Sequence, residues 1–171
     1  MICRVRPYRA DDAQALHEAA RESVRDMFPW LEWCHPDYSM AEAAEWASFQ
    51  AARASDSPEL VFAVVGPNDE FLGGCGVNQV NPIHRFANLG YWVRSSATGR
   101  GVARAAVRET AELVFQKTGL VRLEIVCAVE NRRSQRVAEA VGAVREGILR
   151  NRLVLHGKAV DAVMYSLVRP R

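Results

Sequence analysis

The chain has 171 residues, 49% of them hydrophobic and 25% charged, with 22 Lys plus Arg against 20 Asp plus Glu. That length fits a single domain over residues 1–171 with one continuous core, and a formal net charge of +2 is too small to draw a nucleic acid along a whole face. No apolar run approaches the roughly 18 residues of a membrane helix and no apolar leader opens the chain, so the expectation is a cytoplasmic protein with neither a membrane nor a nucleic-acid partner.

In chain order, Ile2, Cys3 and Val5 suggest a first strand ending near Pro7. A helix opens at Asp11, with Gln14 three residues on as a capping-box-like partner and Leu16, Ala19, Ala20 and Val24 as its apolar face. Ser39 and Glu42 form a Ser-x-x-Glu capping box ahead of a second helix through Ala43, Trp46 and Phe49. Between the two lies an aromatic segment interrupted by Pro29 and Pro36. It reads as an irregular loop whose Trp30 and Trp33 either plug the core or face a substrate.

Residues 60–65 and 71–80 flank a Gly-Pro-Asn-Asp turn and read as a hairpin. The next strand covers 87–94 and carries Gly90 inside it, where a bulge or a close backbone approach is the usual reason for glycine. Val102, Ala106, Val107, Ala111, Val114 and Phe115 recur at helical spacing before the stop at Gly119. Residues 120–129 then turn continuously apolar, which predicts a central strand covered on both faces. A short helix runs from Asn131 to Gly142, and residues 144–155 and 159–168 close the chain as a hairpin. The order β-α-α-β-β-β-α-β-α-β-β predicts a mixed α/β fold without repeats or linkers.

The segment 94–103 carries the chemistry. Gly99 and Gly101 let the backbone fold tightly at a helix start, so the N–H groups of Gly99, Arg100, Gly101, Val102 and Ala103 can converge where the helix dipole favours an anion. A plain tight turn has the same Gly-x-Gly signature. Two other phosphate motifs are excluded: no Gly-Lys-Ser/Thr occurs, and Arg104 stands where a dinucleotide fingerprint needs its third glycine.

These residues carry a resemblance. Thr98-Gly99-Arg100-Gly101-Val102-Ala103 is similar to the pyrophosphate motif Gln/Arg-x-x-Gly-x-Gly/Ala of the GNAT superfamily of acetyltransferases, departing only at Thr98. Asn131, Ser134 and Gly142 fill three places of that family's second motif, while Ala138 takes the place of its usual tyrosine. The chain resembles the RimJ/RimL-like group over essentially its whole length. That resemblance implies a mostly antiparallel central sheet of about seven strands with a splayed strand 4/strand 5 pair and about four helices. It also implies acetyl-coenzyme A as cofactor and acetyl transfer to an amine by direct attack in a ternary complex. The acceptor it suggests is a protein or peptide N-terminus; the alternatives are a small molecule (an aminoglycoside, polyamine or amino acid) or a non-catalytic acyl-CoA-binding module. A homodimer is compatible with the group.

Carried onto this sequence, the resemblance gives residues 99–103 the pyrophosphate and gives the Trp92 or Val93 N–H the thioester carbonyl. Asn131 and Ser134 approach the pantetheine end, and Ser134, in the absence of the tyrosine, becomes the proton donor. Tyr91, Trp30 and Trp33 stand as acceptor-side residues. For the base, His84 has a suitable reference pKa but reads first as an exposed loop histidine with no catalytic task, with His35, Glu32, Glu146 or an ordered water as further candidates. His17, His35, His84 and His156 show no metal-ligand spacing, and no Cys-x-x-Cys occurs. Cys3, Cys34, Cys75 and Cys127 read as reduced packing residues.

Overall fold

The computed structural model describes residues 2–53 and 57–170. Its elements run β1 (Arg4–Pro7), α1 (Ala13–Met27), α2 (Met40–Ala51), β2 (Val61–Val65), β3 (Phe71–Asn81), β4 (Phe86–Val93), α3 (Val102–Lys117), β5 (Arg122–Ala128), α4 (Arg132–Ala140), β6 (Val144–Leu155) and β7 (Lys158–Val168). The strands form one seven-stranded sheet in the order β1-β2-β3-β4-β5-β7-β6. Among the described residues only β4 and β5 run parallel, because the helix between them returns the chain to the same end of the sheet. No helix among the described residues is long and apolar enough to cross a membrane.

Period-two alternation divides the sheet into two faces. Phe62 and Val64 of β2 join a core with Val102, Ala106, Val107 and Val114 of α3, while Ala63 and Val65 pack against Leu16, Ala19 and Ala20 of α1 and Ala43 of α2. The second core contains nothing from β5, and this corrects one expectation. β5 is covered on one face only: Leu123, Ile125 and Cys127 are buried, whereas Arg122, Glu124 and Val126 are half-buried. The α1–α2 layer spans the β1–β4 half of the sheet, so the opposite face of β5 stays open.

Two local expectations also change. The first helix is entered through a 3-10 turn, Ala10–Asp12, and its anchor is Asp12, not Asp11. The Asp12 carboxylate accepts the Arg9 N–H at 2.7 Å and two bonds from Arg6 at 2.8 and 2.6 Å, while Gln14 turns outward to Glu18. Buried Arg6 fixes which aspartate is used. Gly90 is not a bulge: it pairs in register with Gly76, and the irregularity in that ladder falls between Asn78 and Asn81. A side chain at Gly90 would meet only Asn88 Nδ2, at 3.9 Å, because the strand there borders open space. The capping box of α2 forms as read, with the Ser39 N–H on Glu42 Oε2 at 2.9 Å and the Glu42 N–H on Ser39 Oγ at 3.3 Å.

Candidate functional site

The parallel pairing of β4 with β5 covers only Phe86–Asn88 and Arg122–Glu124. Beyond those residues the strands part, and a cleft of about 920 Å³ opens between them, reaching the start of α3 and the N-terminal end of α4. The Arg94 N–H bonds to Leu72 O of β3 at 2.8 Å, so ladder alternation turns the Trp92 N–H to β3 as well and the Val93 N–H to the fork. Of the two amides expected to face the cleft, Val93 has the free direction. Trp92 instead sets its ring edge-on to Trp33, with centroids 5.3 Å apart.

At the start of α3, Gly99 and Gly101 have φ of +74° and +80°, a left-handed conformation that a residue with a Cβ resists. No side chain caps this helix. Among the described residues nothing accepts a hydrogen bond from the backbone N–H groups of residues 99–104; the Ala105 N–H makes the first helical bond, to Gly101 O at 3.0 Å. The preceding loop is pinned to α1. The Ser95 N–H bonds Ser23 Oγ at 2.9 Å and its hydroxyl bonds Asp26 at 2.6 Å, while Glu22 accepts both the N–H and the hydroxyl of Ser96, at 2.9 and 2.7 Å. Thr98, the departure from the family motif, folds its hydroxyl back onto Ser95 O at 2.8 Å. Arg100, Arg104, Arg133 and Arg136 line this cleft, and among the described residues its single lining carboxylate is Asp26, which also holds Arg133 at 3.0 Å.

The start of α4 is built differently. Asn131 Oδ1 caps it by accepting the Ser134 N–H at 3.1 Å. The Tyr91 hydroxyl donates to Ser134 O at 3.0 Å and lies 2.9 Å from Ser134 Oγ, and Cys127 Sγ stands 3.1 Å from the same Oγ. Burial pushes the Tyr91 phenol up from its ordinary pKa, and it pushes up the Cys127 thiol too, so both groups carry their protons near neutral pH.

The structure gathers Ser134, Asn131, Tyr91, Trp92, Val93, Trp30 and residues 99–103 around the cleft. It moves others away. Trp33 does not line the cleft and packs edge-on to Tyr38 and Trp92. Tyr91, expected on the acceptor side, stays at the cleft but spends its hydroxyl on Ser134. His84 is exposed in the β3–β4 turn, with its N–H on Asn81 Oδ1 at 2.8 Å. His35 pairs with Glu42, Glu146 with Arg122 and Ser166, and Glu32 with the His156 N–H, and none of these four side chains, His84 included, lines the cleft. Cys127 and Asp26 were not foreseen. The one available signal was for Cys127, in phase with buried Leu123 and Ile125 on β5 and so bound to share the face on which α4 packs.

An uncapped, glycine-rich helix start beside a forked parallel pair defines a fold with an anion site opening on a cleft, and comparison with known proteins gives its family. It belongs to the GNAT acetyltransferase family, whose domain model matches residues 3–144. The ribosomal-protein-serine acetyltransferase of Escherichia coli K12 is 30% identical over 173 residues, covering 94% of this chain and 95% of that protein. The YdaF protein of Bacillus subtilis is 33% identical over 97 residues, an alignment spanning 57% of this chain and only about half, 53%, of that protein. Among solved structures, RimL, a ribosomal L7/L12 α-N-protein acetyltransferase in complex with coenzyme A, superposes with a TM-score of 0.87 at 21% identity over 98% of this chain and 94% of its own. The microcin C7 self-immunity acetyltransferase MccE, with acetyl-CoA and AMP, gives 0.86 at 18% identity over 98% and 93%.

Proposed function

We propose that this protein is an N-acetyltransferase that takes an acetyl group from acetyl-coenzyme A and passes it to the N-terminal amine of a protein or peptide, by direct attack in a ternary complex. The observation that carries this reading is the run of unbonded N–H groups at residues 99–104 opening on the forked strands. The residues fit coenzyme A. Free amides at a helix start, with four arginines along the cleft, suit a diphosphate, and the edges of β4 and β5 that no longer pair with each other past Asn88 and Glu124 suit an extended amide-bearing arm. When bound, acetyl-CoA supplies a thioester already activated toward amines. The Val93 N–H polarises the carbonyl, and Ser134 Oγ gives a proton to the leaving sulfur.

The lining of the cleft favours a monoamine acceptor. A polyamine calls for several carboxylates, and Asp26 is alone and already bonded to Ser95 and Arg133. Trp30, Leu31, Leu153 and Leu155 instead give an apolar approach, suited to an amine that arrives neutral with its proton passing to water. The name of the E. coli relative likewise points to a protein serine as acceptor, whereas a Vibrio cholerae relative, 27% identical over 113 residues, is named a spermidine N(1)-acetyltransferase. Four buried free cysteines support a reducing, cytoplasmic setting. Calorimetry with coenzyme A, followed by thiol release with peptides beginning in Ser or Ala and with spermidine, tests the reading. Binding with release on peptides is expected; release on spermidine alone overturns the acceptor, and binding without release on any amine overturns the enzyme.

A further inference from the structure

A serine hydroxyl is a weak acid, and its loss of a proton leaves an alkoxide that a half-buried site must stabilise. The surroundings of Ser134 Oγ supply what is needed. A carbonyl can only accept, so the Tyr91 O–H that reaches Ser134 O at 3.0 Å is donated there, and the serine proton then turns toward the phenol oxygen 2.9 Å away. Tyr91 has a second acceptor at nearly the same distance, Ser134 Oγ itself. When the phenol proton swings to it, Oγ receives bonds from Tyr91 and from the Cys127 thiol 3.1 Å away, and the hydroxyl's own proton is left to face the cleft.

We propose that Tyr91 and Cys127 are positioning residues that aim the Ser134 proton into the cleft and hold the oxygen it leaves. The inference rests on the acetyl-transfer reading. In the step itself the Ser134 Oγ–H bond breaks as an S–H bond forms on the leaving sulfur. The negative charge developing on Oγ is shared with the Tyr91 O–H and Cys127 S–H, both stronger acids than a serine hydroxyl, and a proton released by the acylated amine returns all three groups to their starting state. The phenol thus arrives from β4, while α4 carries Ala138 and no tyrosine. Burial keeps both donors protonated near neutral pH, so each has a hydrogen to turn toward Oγ.

Steady-state kinetics on an accepted peptide provides the test. Tyr91→Phe is expected to lower kcat about tenfold, the worth of one well-placed hydrogen bond, with KM for acetyl-CoA and affinity for coenzyme A within about twofold of wild type. Cys127→Ala is expected to lower kcat by a smaller factor, about threefold. The Tyr91→Phe/Ser134→Ala double variant is expected to be no slower than Ser134→Ala alone, because residues acting through one group are not additive. A kcat within twofold of wild type in Tyr91→Phe, or multiplying losses in the double variant, overturns the proposal. Should Tyr91→Phe not fold, an unchanged kcat in Cys127→Ala overturns it. Infrared spectroscopy of the free protein reads the same geometry without acetyl-CoA. The S–H band that disappears in Cys127→Ala is expected to shift in Ser134→Ala and, by less, in Tyr91→Phe; a band indifferent to both overturns the proposal. Wild-type protein inactive on every amine, but with those band shifts present, sinks the acetyl-transfer reading and leaves the hydroxyl chain standing.

Discussion

Two helices begin at the cleft, and they begin in opposite ways. The start of α3 has two left-handed glycines and, among the described residues, no side-chain cap and no acceptor for its backbone amides, whereas the start of α4 is capped by Asn131, with Ser134 bonded at its amide, its carbonyl and its hydroxyl. Unmade hydrogen bonds at a helix start are a standing cost unless water or an anion satisfies them. Satisfied ones fix a side chain in place. An open terminus can therefore receive a ligand, while a closed one presents a single oriented group.

Substitutions can break this contrast from either side. At the closed terminus, Ser134→Ala is expected to lower kcat by about 10²-fold, typical of lost acid catalysis, while coenzyme A affinity by calorimetry stays near wild type; a rate within about twofold of wild type removes Ser134 from the role. At the open terminus, Gly101→Val forces a branched residue into φ of +80°. It is expected to weaken coenzyme A binding about tenfold or more, as one charge-assisted bond is misaligned, and to cost about 1–3 kcal/mol of stability from backbone strain. If binding is unchanged, those amides do not hold the diphosphate. Asn131→Ala removes the cap and is expected to cost about 1 kcal/mol in denaturant unfolding, with a fall in kcat that follows the loosened Ser134.

The smallest effect concerns how the open terminus is anchored. The bond from Arg94, with further bonds from Ser96, holds the Glu22 carboxyl at about 2 against an ordinary 4.5. A carboxyl more acidic in the folded state favours folding once deprotonated, so its contribution is intact above pH 4.5 and fades as pH falls toward 2. The difference in thermal midpoint between wild type and Glu22→Gln is accordingly expected to shrink across that window. A difference independent of pH assigns the anchoring to the Ser23 and Asp26 contacts.

The two termini also differ in how much of them could be read beforehand. The open one lies within a single stretch of chain: the glycines, the missing cap and the apolar helix that follows are local facts, and local facts persist in the fold. The closed one draws on β4, β5 and α4. Nothing near Ser134 in sequence announces Tyr91, 43 residues away, and Cys127 was read only as a packing residue because its partner belongs to another element. His84 failed for the same reason in reverse, since a suitable pKa says nothing about which way a loop faces.

By itself the sequence determined the element order, the capping box of α2, the helical start at residues 99–103 and the mixed sheet, because each follows from periodicity, capping chemistry or backbone permissiveness within a few residues. Tertiary structure alone decided that β5 is open on one face, that the Val93 N–H and not that of Trp92 faces the fork, that Asp12 and not Asp11 anchors the first helix, and that a phenol and a thiol meet Ser134. Those outcomes depend on which strands pair and where the pairing stops, and sheet register is a property of contacts between distant segments that no single segment encodes.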